Sequence, residues 1–478
     1  MVRAGRSTAV IRSPVPAWTP HDQPAAVTRA SRGFHQERPI YQGPSWTTPA
    51  GLNICRQSIM SGSAPSESLS PASSREMRLR QPPLPQRRCC QHLDHPRCAL
   101  QAHCVRRWMP RGGRMRLHDD VTDLCTDILA GLPRSDQRRR GMEYIRGLLL
   151  TRGRKSIRNI AAISAEPAAE QALHHFVSDS TWDWMPVRQA LTRHVTRVAN
   201  VSAWVLHPTL IRKAGTHSVG VGRKYSPGLG QSLNAQHAVG LWAATPDFVA
   251  PVNWRLHLNE DWLADEHRRR RAAIPDDMVA QSLGACTVET YLELGVAADD
   301  LVLVDAREME AGMVVRRLRA SGAPVLIRIP AGLRLVASGR SAAECAGDLA
   351  AAARHSRRPV FGLTANPPVL AGTVAVRLPS TRAHDPLLMV ELSAPGGSGP
   401  GQLWLTSRGD VGLADLVRLT SLVPRVGHDL EMTGDRVGLR AFTGRSYRGW
   451  HRHVTLASAA HTVLAARDCA EPALRRTS

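Results

Sequence analysis

The chain has 478 residues, a formal net charge of +22 and 43% hydrophobic residues, enough for more than one domain and a sizeable core. No run of about 18 or more apolar residues occurs, so no membrane span is expected, and Met1–Ala50 lacks the apolar stretch of a secretory signal. Nine cysteines, an odd number in a long chain, argue against a disulfide scaffold.

Of the 62 basic residues only Lys155, Lys213 and Lys224 are lysine. Arginine favours bidentate phosphate contacts, and so large a positive balance permits nucleic-acid binding without proving it. Residues 1–114 hold 17 arginines, no lysine and five acidic residues, with no helical or strand periodicity. Such a segment has little apolar burial to oppose its ordering entropy. It reads either as a disordered basic arm or as translated upstream sequence before a functional start at Met115. Cys89, Cys90, His92, His95, Cys98, His103 and Cys104 cluster there, but their spacing lacks the paired pattern of a zinc site. Cys55 stands alone in the same segment, and Cys125, Cys286, Cys345 and Cys469 are scattered.

From Met115 the character changes. Val121, Leu124, Ile128 and Leu132 predict a helix over Val121–Leu132. A second helix follows, with Asp136 as its expected cap and Tyr144, Ile145, Leu148 and Leu149 as its apolar face. It breaks at Thr151-Arg152-Gly153. Arg154, Lys155 and Arg158 open a third helix, ending near Ile163. With Arg138, these residues suit duplex-backbone contact by a helix-turn-helix-like pair; the alternative is a bundle with a solvated basic face. Helices over Ala168–Val177 and from Pro186 to Val198 complete a helical domain, 115–198.

The core is expected over 199–465. Ala203–Leu206 has the length of a strand, and Ala238–Ala243 and Val252–Leu256 are two more. Between the first two lies a basic, glycine-rich connection with Lys213, Gly215, Gly220, Gly222, Arg223 and Lys224, suited to phosphate contact. Arg268–Arg271 form a charge run, which is usually a solvated face. A helix over Gln281–Leu294 precedes a buried strand, Leu301–Val304, that ends at Asp305. An acidic residue at the carboxyl end of an apolar strand is a reasonable metal-ligand position. Helix Met309–Ala320, strand Pro324–Ile329 and helix Ser341–Ala352 follow. Three strand-like runs, Val374–Leu378, Leu388–Leu392 and Leu403–Thr406, form an antiparallel insertion over about 371–407. Residues 466–478 read as a disordered tail.

The tracts AWV at Ala203, GTHSVGV at Gly215, NAQ at Asn234, NWRL at Asn253 and the later Trp262 resemble the catalytic core of bacterial insertion-sequence transposases of the DDE superfamily, in its 701-like group. RSDQRR, YIRGLL, GRKSIR and HHFVSDSTWDW resemble that group's amino-terminal helical region, and AFTGRSYRGWHRHVTLASAAH its carboxyl-terminal tail. The resemblance spans roughly residues 125–465. It implies an α/β fold: an RNase-H-like DDE core with an amino-terminal helical domain and an antiparallel β insertion.

The resemblance also implies that two aspartates and a glutamate hold Mg2+ or Mn2+, which activates water and then the DNA 3′-hydroxyl. The first-strand aspartates fall on His207 and Pro208, with Thr209 retained, and the second catalytic aspartate falls on Asp305. The glycine and tyrosine that often follow it are Arg307 and Glu308. Counting back from Gly438-Leu439 places the glutamate at Gly427, the lysine at Gly434 and the tryptophan at Pro424. In the tail, Gly444, Arg445, Arg448, Gly449, Trp450, His451 and His453 imply a helix joint and a basic surface. Hard divalent cations favour carboxylates, and only Asp305 remains of three. Glu431, one helical turn past Gly427, can replace at most one ligand.

The expected function is that of a transposase-like DNA-binding protein without strand-transfer activity. Three alternatives stay open: an active transposase using substitute acidic ligands, a DNA-binding regulator reusing the fold, and an RNase-H-like remnant with no DNA role. The implied partner is double-stranded DNA, with a homodimer possible. The implied compartment is the bacterial cytoplasm, at the nucleoid.

Overall fold

The computed structural model describes residues 117–164, 166–297, 299–361, 368–379, 386–395 and 401–477, and all of these belong to one compact unit. The basic segment 1–114, Cys55, the cluster from Cys89 to Cys104 and the start at Met115 lie outside the described residues.

Helix α1 (Leu117–Leu129) begins before the expected Val121 and buries Val121, Leu124 and Ile128 on one face. Helix α2 (Ser135–Leu150) is not capped by Asp136 as the sequence suggested. Arg134 occupies the cap position without a side-chain cap bond, and Asp136 instead receives the Arg134 guanidinium at 2.9 Å. Gly153, with φ of +70°, makes the break that follows. Helix α3 is only Ile157–Ala161, capped by Ser156, which accepts from the Asn159 amide at 3.2 Å. Helices α4 (Ala169–Ser178) and α5 (Met185–Val198) match the reading closely. Between them Trp182 stacks on Phe176 with centroids 5.2 Å apart. Its indole N–H donates to the Phe176 carbonyl at 2.8 Å, which satisfies the buried donor.

Strand β1 (Ala203–Arg212) is longer than expected and runs through Pro208. It pairs antiparallel with β3 (Gln231–Ala244) along its whole length and parallel with β5 (Val302–Asp305) only as far as Leu206. Pro208 therefore lies beyond the β5 pairing, where its missing N–H costs no ladder bond on that side. Strand β2 (Gly222–Ser226) pairs with the start of β3, so Gly222, Arg223 and Lys224 belong to a strand and only 213–221 form the loop. Strand β4 (Val249–His257) pairs with the far end of β3. Two short helices, α6 (Glu260–Ala264) and α7 (Glu266–Arg271), and then α8 (Leu283–Leu292) lead back to β5. Helix α9 (Ala311–Ala320) returns the chain to β6 (Val325–Ile329), which pairs parallel with β5. Val302, Leu303 and Val304 are fully buried, as a central parallel strand covered on both faces requires.

Strands β7 (Arg334–Ala337), β8 (Glu344–Cys345) and β9 (Arg358–Val360) and helix α10 (Ala346–Ala352) precede the insertion. These three short strands escaped the sequence reading. Strands β10 (Val369–Arg377), β11 (Leu387–Ser393) and β12 (Gln402–Thr406) are antiparallel as expected. They do not form a separate sheet: β12 pairs with β6, giving one sheet ordered β2-β3-β1-β5-β6-β12-β11-β10-β7-β8.

Helices α11 (Leu413–Thr420) and α12 (Leu422–Asp429) lead into a π-helical turn, Leu430–Gly434. Helix α13 (Tyr447–Thr477) then runs on through the stretch read as a disordered tail, where alanine and arginine favour helix. Arg448 in its first turn is exposed, but His451, Arg452 and His453 are at most 3% exposed and add nothing to a basic surface. His453 accepts from the Tyr144 hydroxyl at 2.9 Å and donates to the Gly438 carbonyl at 2.8 Å, tying α2 to α13. Arg188 of α5 is equally buried and is held by neutral acceptors alone: Asn253 and the Trp254 carbonyl, Thr455, and His451. Burial pushes its guanidinium down to about 9. The helical segment, β4 and α13 thus share one interior.

Candidate active site

A cleft of about 1910 Å³ opens beside β1 at the carboxyl end of β5, and His207, Asp305 and Gly427 all line it. The sheet register explains how they meet. Leu206 pairs with Val304, so His207, midway along β1 just past its pairing with β5, neighbours Asp305 at the end of β5. Helix α12 crosses above them, and a Cβ at Gly427 would lie 3.4 Å from His207 Cε1 and 3.8 Å from Nε2. That is ordinary van der Waals contact. Alanine fits at 427, whereas a glutamate there must run alongside the imidazole. The shielding of His207 pushes its pKa down to about 4, against the pull of the Asp305 charge, so at neutral pH it is an uncharged imidazole.

Asp305 is not free. Arg307, two residues on, donates through Nε to Oδ1 at 2.9 Å and through Nη2 to Oδ2 at 2.8 Å, a bidentate clamp. The β5–β6 register places Asp305 opposite Arg328, whose Nη1 lies 3.3 Å from Oδ2. Burial raises the Asp305 carboxyl, but the Arg307 hydrogen bonds and the two positive charges outweigh it and hold the group below the ordinary carboxylate value. Both carboxylate oxygens thus face guanidinium groups.

The other acidic side chains offer no replacement set. Glu431 does not line the cleft: the π turn adds a residue to the helical repeat, turns Glu431 out to solvent and defeats the one-turn spacing from Gly427. Asp429 is committed to His461 at 2.5 Å. Asp415 borders the cleft but pairs with Arg418 at 2.7 Å. No group of three or more His, Cys, Asp and Glu able to hold a metal occurs among the described residues. Gly434, at the family's lysine position, is buried, and a Cβ there would meet Leu430 and Leu439 at 3.1 Å.

The family model described as DDE superfamily endonuclease matches residues 127–384. The chain belongs to the DDE superfamily. Its endonucleases generally use divalent metals and act on DNA. The matched span includes His207 and Asp305 and stops short of Gly427. No curated protein matches the sequence. The donor set of this DDE member does not fit the divalent ions of its family: at the triad positions one carboxylate, already clamped, faces an imidazole and a glycine, and Glu308 and Asp415, which also line the cleft, complete no metal-holding group among the described residues.

Of the residues singled out for DNA, several are turned inward. Lys155 is buried, and its ammonium donates to the Leu148 carbonyl at 2.6 Å and to the Thr151 carbonyl, closing the end of α2. Arg138 donates to the Leu132 carbonyl at 2.5 Å. Lys213 donates to the carbonyls of Arg440 at 3.1 Å and Phe442 at 2.6 Å, and burial pushes it down to about 8. Lys224 is half-buried, and that burial lowers its pKa. Arg154, Arg158, Arg223, Arg445 and Arg448 are exposed. Helix α3 carries Arg158 but spans little more than one turn, short for a helix lying in a groove. No helix among the described residues is long and apolar enough to cross a membrane.

Arg307 left one signal in the sequence: an arginine two residues past a strand-end aspartate. Arg328 left none, because only strand pairing brings it to Asp305.

Proposed function

We propose that this DDE superfamily member is a DNA-binding protein of insertion-sequence ancestry that performs no strand transfer. The observation that carries the reading is the Asp305 carboxylate clamped by Arg307 and approached by Arg328. The cations that would draw in a DNA phosphate are covalently part of the chain, and the carboxylates that would hold two metal ions reduce to one. Binding is then electrostatic, through exposed residues such as Arg154, Arg158, Arg223 and Arg448. A homodimer at the nucleoid belongs to the same proposal.

The test is incubation of the full chain with a labelled duplex carrying the element's own ends, with Mg2+ or Mn2+. The expected result is salt-sensitive binding without nicking or joining. Metal-dependent cleavage that disappears in Asp305→Ala would overturn the reading. Absence of any duplex binding at low salt would leave only the alternative of a fold with no DNA role.

A further inference from the structure

We propose that a second, smaller pocket, remote in sequence from Asp305, is a metal-free binding site for a single phosphoryl group. It has a volume of about 250 Å³ and lies between the loop after β1, helix α7 and the segment before α13. Arg268, Arg271 and Arg445 line it, together with Thr216 and His217.

The arginine run of α7 divides its labour. Arg269 donates to the carbonyls of Pro275 at 2.7 Å and Met278 at 3.1 Å, and to that of Asp276. Arg270 pairs with Glu266 at 2.6 Å. Arg268 pairs with Asp265 at 3.2 Å and lies over the Trp262 ring, 5.6 Å from its centroid. Arg271 has no hydrogen-bond or ion-pair partner among the described residues, and neither has Arg445. Two guanidinium groups without counter-ions therefore converge on one concavity containing a single carboxylate, Asp265, that is already paired.

The walls are fixed by the chain. The Tyr447 amide donates to the Ala272 carbonyl at 2.8 Å, which stitches the end of α7 to the start of α13 and holds Arg271 near Arg445. The Trp262 indole donates to the Val221 carbonyl at 2.8 Å, and Lys213 ties the β1 loop to Arg440 and Phe442. Ala273, with φ of +51°, is the non-glycine residue held in the left-handed region as the chain leaves α7. Such stitching lowers the ordering cost of binding.

Size and stacking define the ligand. The volume lies below the roughly 300 Å³ at which pockets for whole small molecules begin, so it suits one phosphoryl group and not a nucleotide. The Trp262 ring that would stack a base already carries Arg268. Recognition is therefore of phosphate and independent of base sequence. Arginine forks suit its planar pairs of oxygens. The phosphoryl group can come from a nucleic-acid backbone or from free phosphate.

The experiment uses the full chain, Arg271→Gln/Arg445→Gln and Arg271→Lys/Arg445→Lys. Each is titrated with a labelled duplex of about 20 base pairs over a salt series, and with inorganic phosphate alone by calorimetry. For a backbone phosphate, the glutamine pair weakens duplex binding about tenfold, and the log–log salt slope falls by about one. The lysine pair, which keeps charge without the forks, lies between. For free phosphate, the heat of phosphate binding disappears in the glutamine pair and duplex binding is unchanged. If neither ligand distinguishes the glutamine pair from the natural chain, the proposal is overturned. The phosphate arm decides the pocket even if the chain binds no duplex, so this proposal and the DNA-binding reading fail separately.

Discussion

Two arginine sites in this molecule differ in what faces the guanidinium. In the cleft, Arg307 and Arg328 converge on the Asp305 carboxylate, so their charge is spent inside the fold. In the small pocket, Arg271 and Arg445 line one concavity with no partner among the described residues. The first arrangement is a substitute for a bound cation; the second lacks an anion. A chain with a formal charge of +22 does not distribute that charge evenly as binding potential. Satisfied arginines hold structure, and the unsatisfied ones remain for a ligand.

The largest expected effect breaks the cleft side of this contrast. Restoring carboxylates by His207→Asp with Gly427→Glu leaves Arg307 competing for Asp305. Adding Arg307→Gly removes the bidentate clamp. The triple variant should bind Mn2+ at least about tenfold more tightly than the double variant, by calorimetry. Equal affinities would show that the clamp does not control the site.

Next in size is the stability of the clamp. Asp305→Asn removes the charge that balances Arg328, a side chain 23% exposed, so the positive group is left in a partly shielded place. A loss of about 2 kcal/mol in urea unfolding is expected, below the figure for a fully buried pair because water reaches the cleft. The effect has a pH signature. The folded Asp305 carboxyl lies below its ordinary value, so its stabilisation is complete above the unfolded pKa of about 3.9 and is lost as pH falls through the lower folded value. The gap between natural chain and variant should therefore close at strongly acid pH. His207 acts in the same direction in a higher window: its folded pKa of about 4 lies below the unfolded value of about 6.5, so the unfolded chain takes up the proton first and stability falls as pH drops from about 6.5 to 4. Studying Asp305→Asn in a His207→Gln background separates the two.

Much of the fold was legible in the sequence where local pattern decides it. The apolar run before Asp305 predicted β5, and the three runs of the insertion predicted β10–β12. The resemblance assigned His207, Asp305 and Gly427 to one site, and all three line the cleft; local pattern did not group them. It failed where partners come from distant segments. Lys155 reads as a basic surface residue, yet its ammonium closes α2, and a Cβ on Gly438 would lie 2.6 Å from its Cγ. His451 and His453 sit in a basic tract, yet pack at the joint between α2, α5 and α13. Glu431 has the right helical spacing from Gly427, but a π turn shows no distinctive residue pattern, and one extra residue redirects the side chain. The short strands β7, β8 and β9 lie below the length at which periodicity speaks. Arg271 stood in a run of four like residues, and no sequence rule separates the one without a partner from three with partners.

The smallest expected effect tests the pocket side. Arg271→Ala should change unfolding stability by no more than about 0.5 kcal/mol, because an exposed side chain without a partner contributes little to the fold. The comparison within α7 sharpens this. Arg269→Ala removes donors from the Pro275, Asp276 and Met278 carbonyls and should destabilise by about 1–2 kcal/mol, since those acceptors lose a charged donor. Two arginines two positions apart, with the same intrinsic helix propensity, should then separate cleanly in a urea titration. Duplex affinity should rank them in reverse, with Arg271→Ala the weaker binder and Arg269→Ala close to the natural chain once folded. If Arg271→Ala were as destabilising as Arg269→Ala, Arg271 would be a structural residue like its neighbour. The contrast between a satisfied and an unsatisfied arginine site would then collapse into a single class.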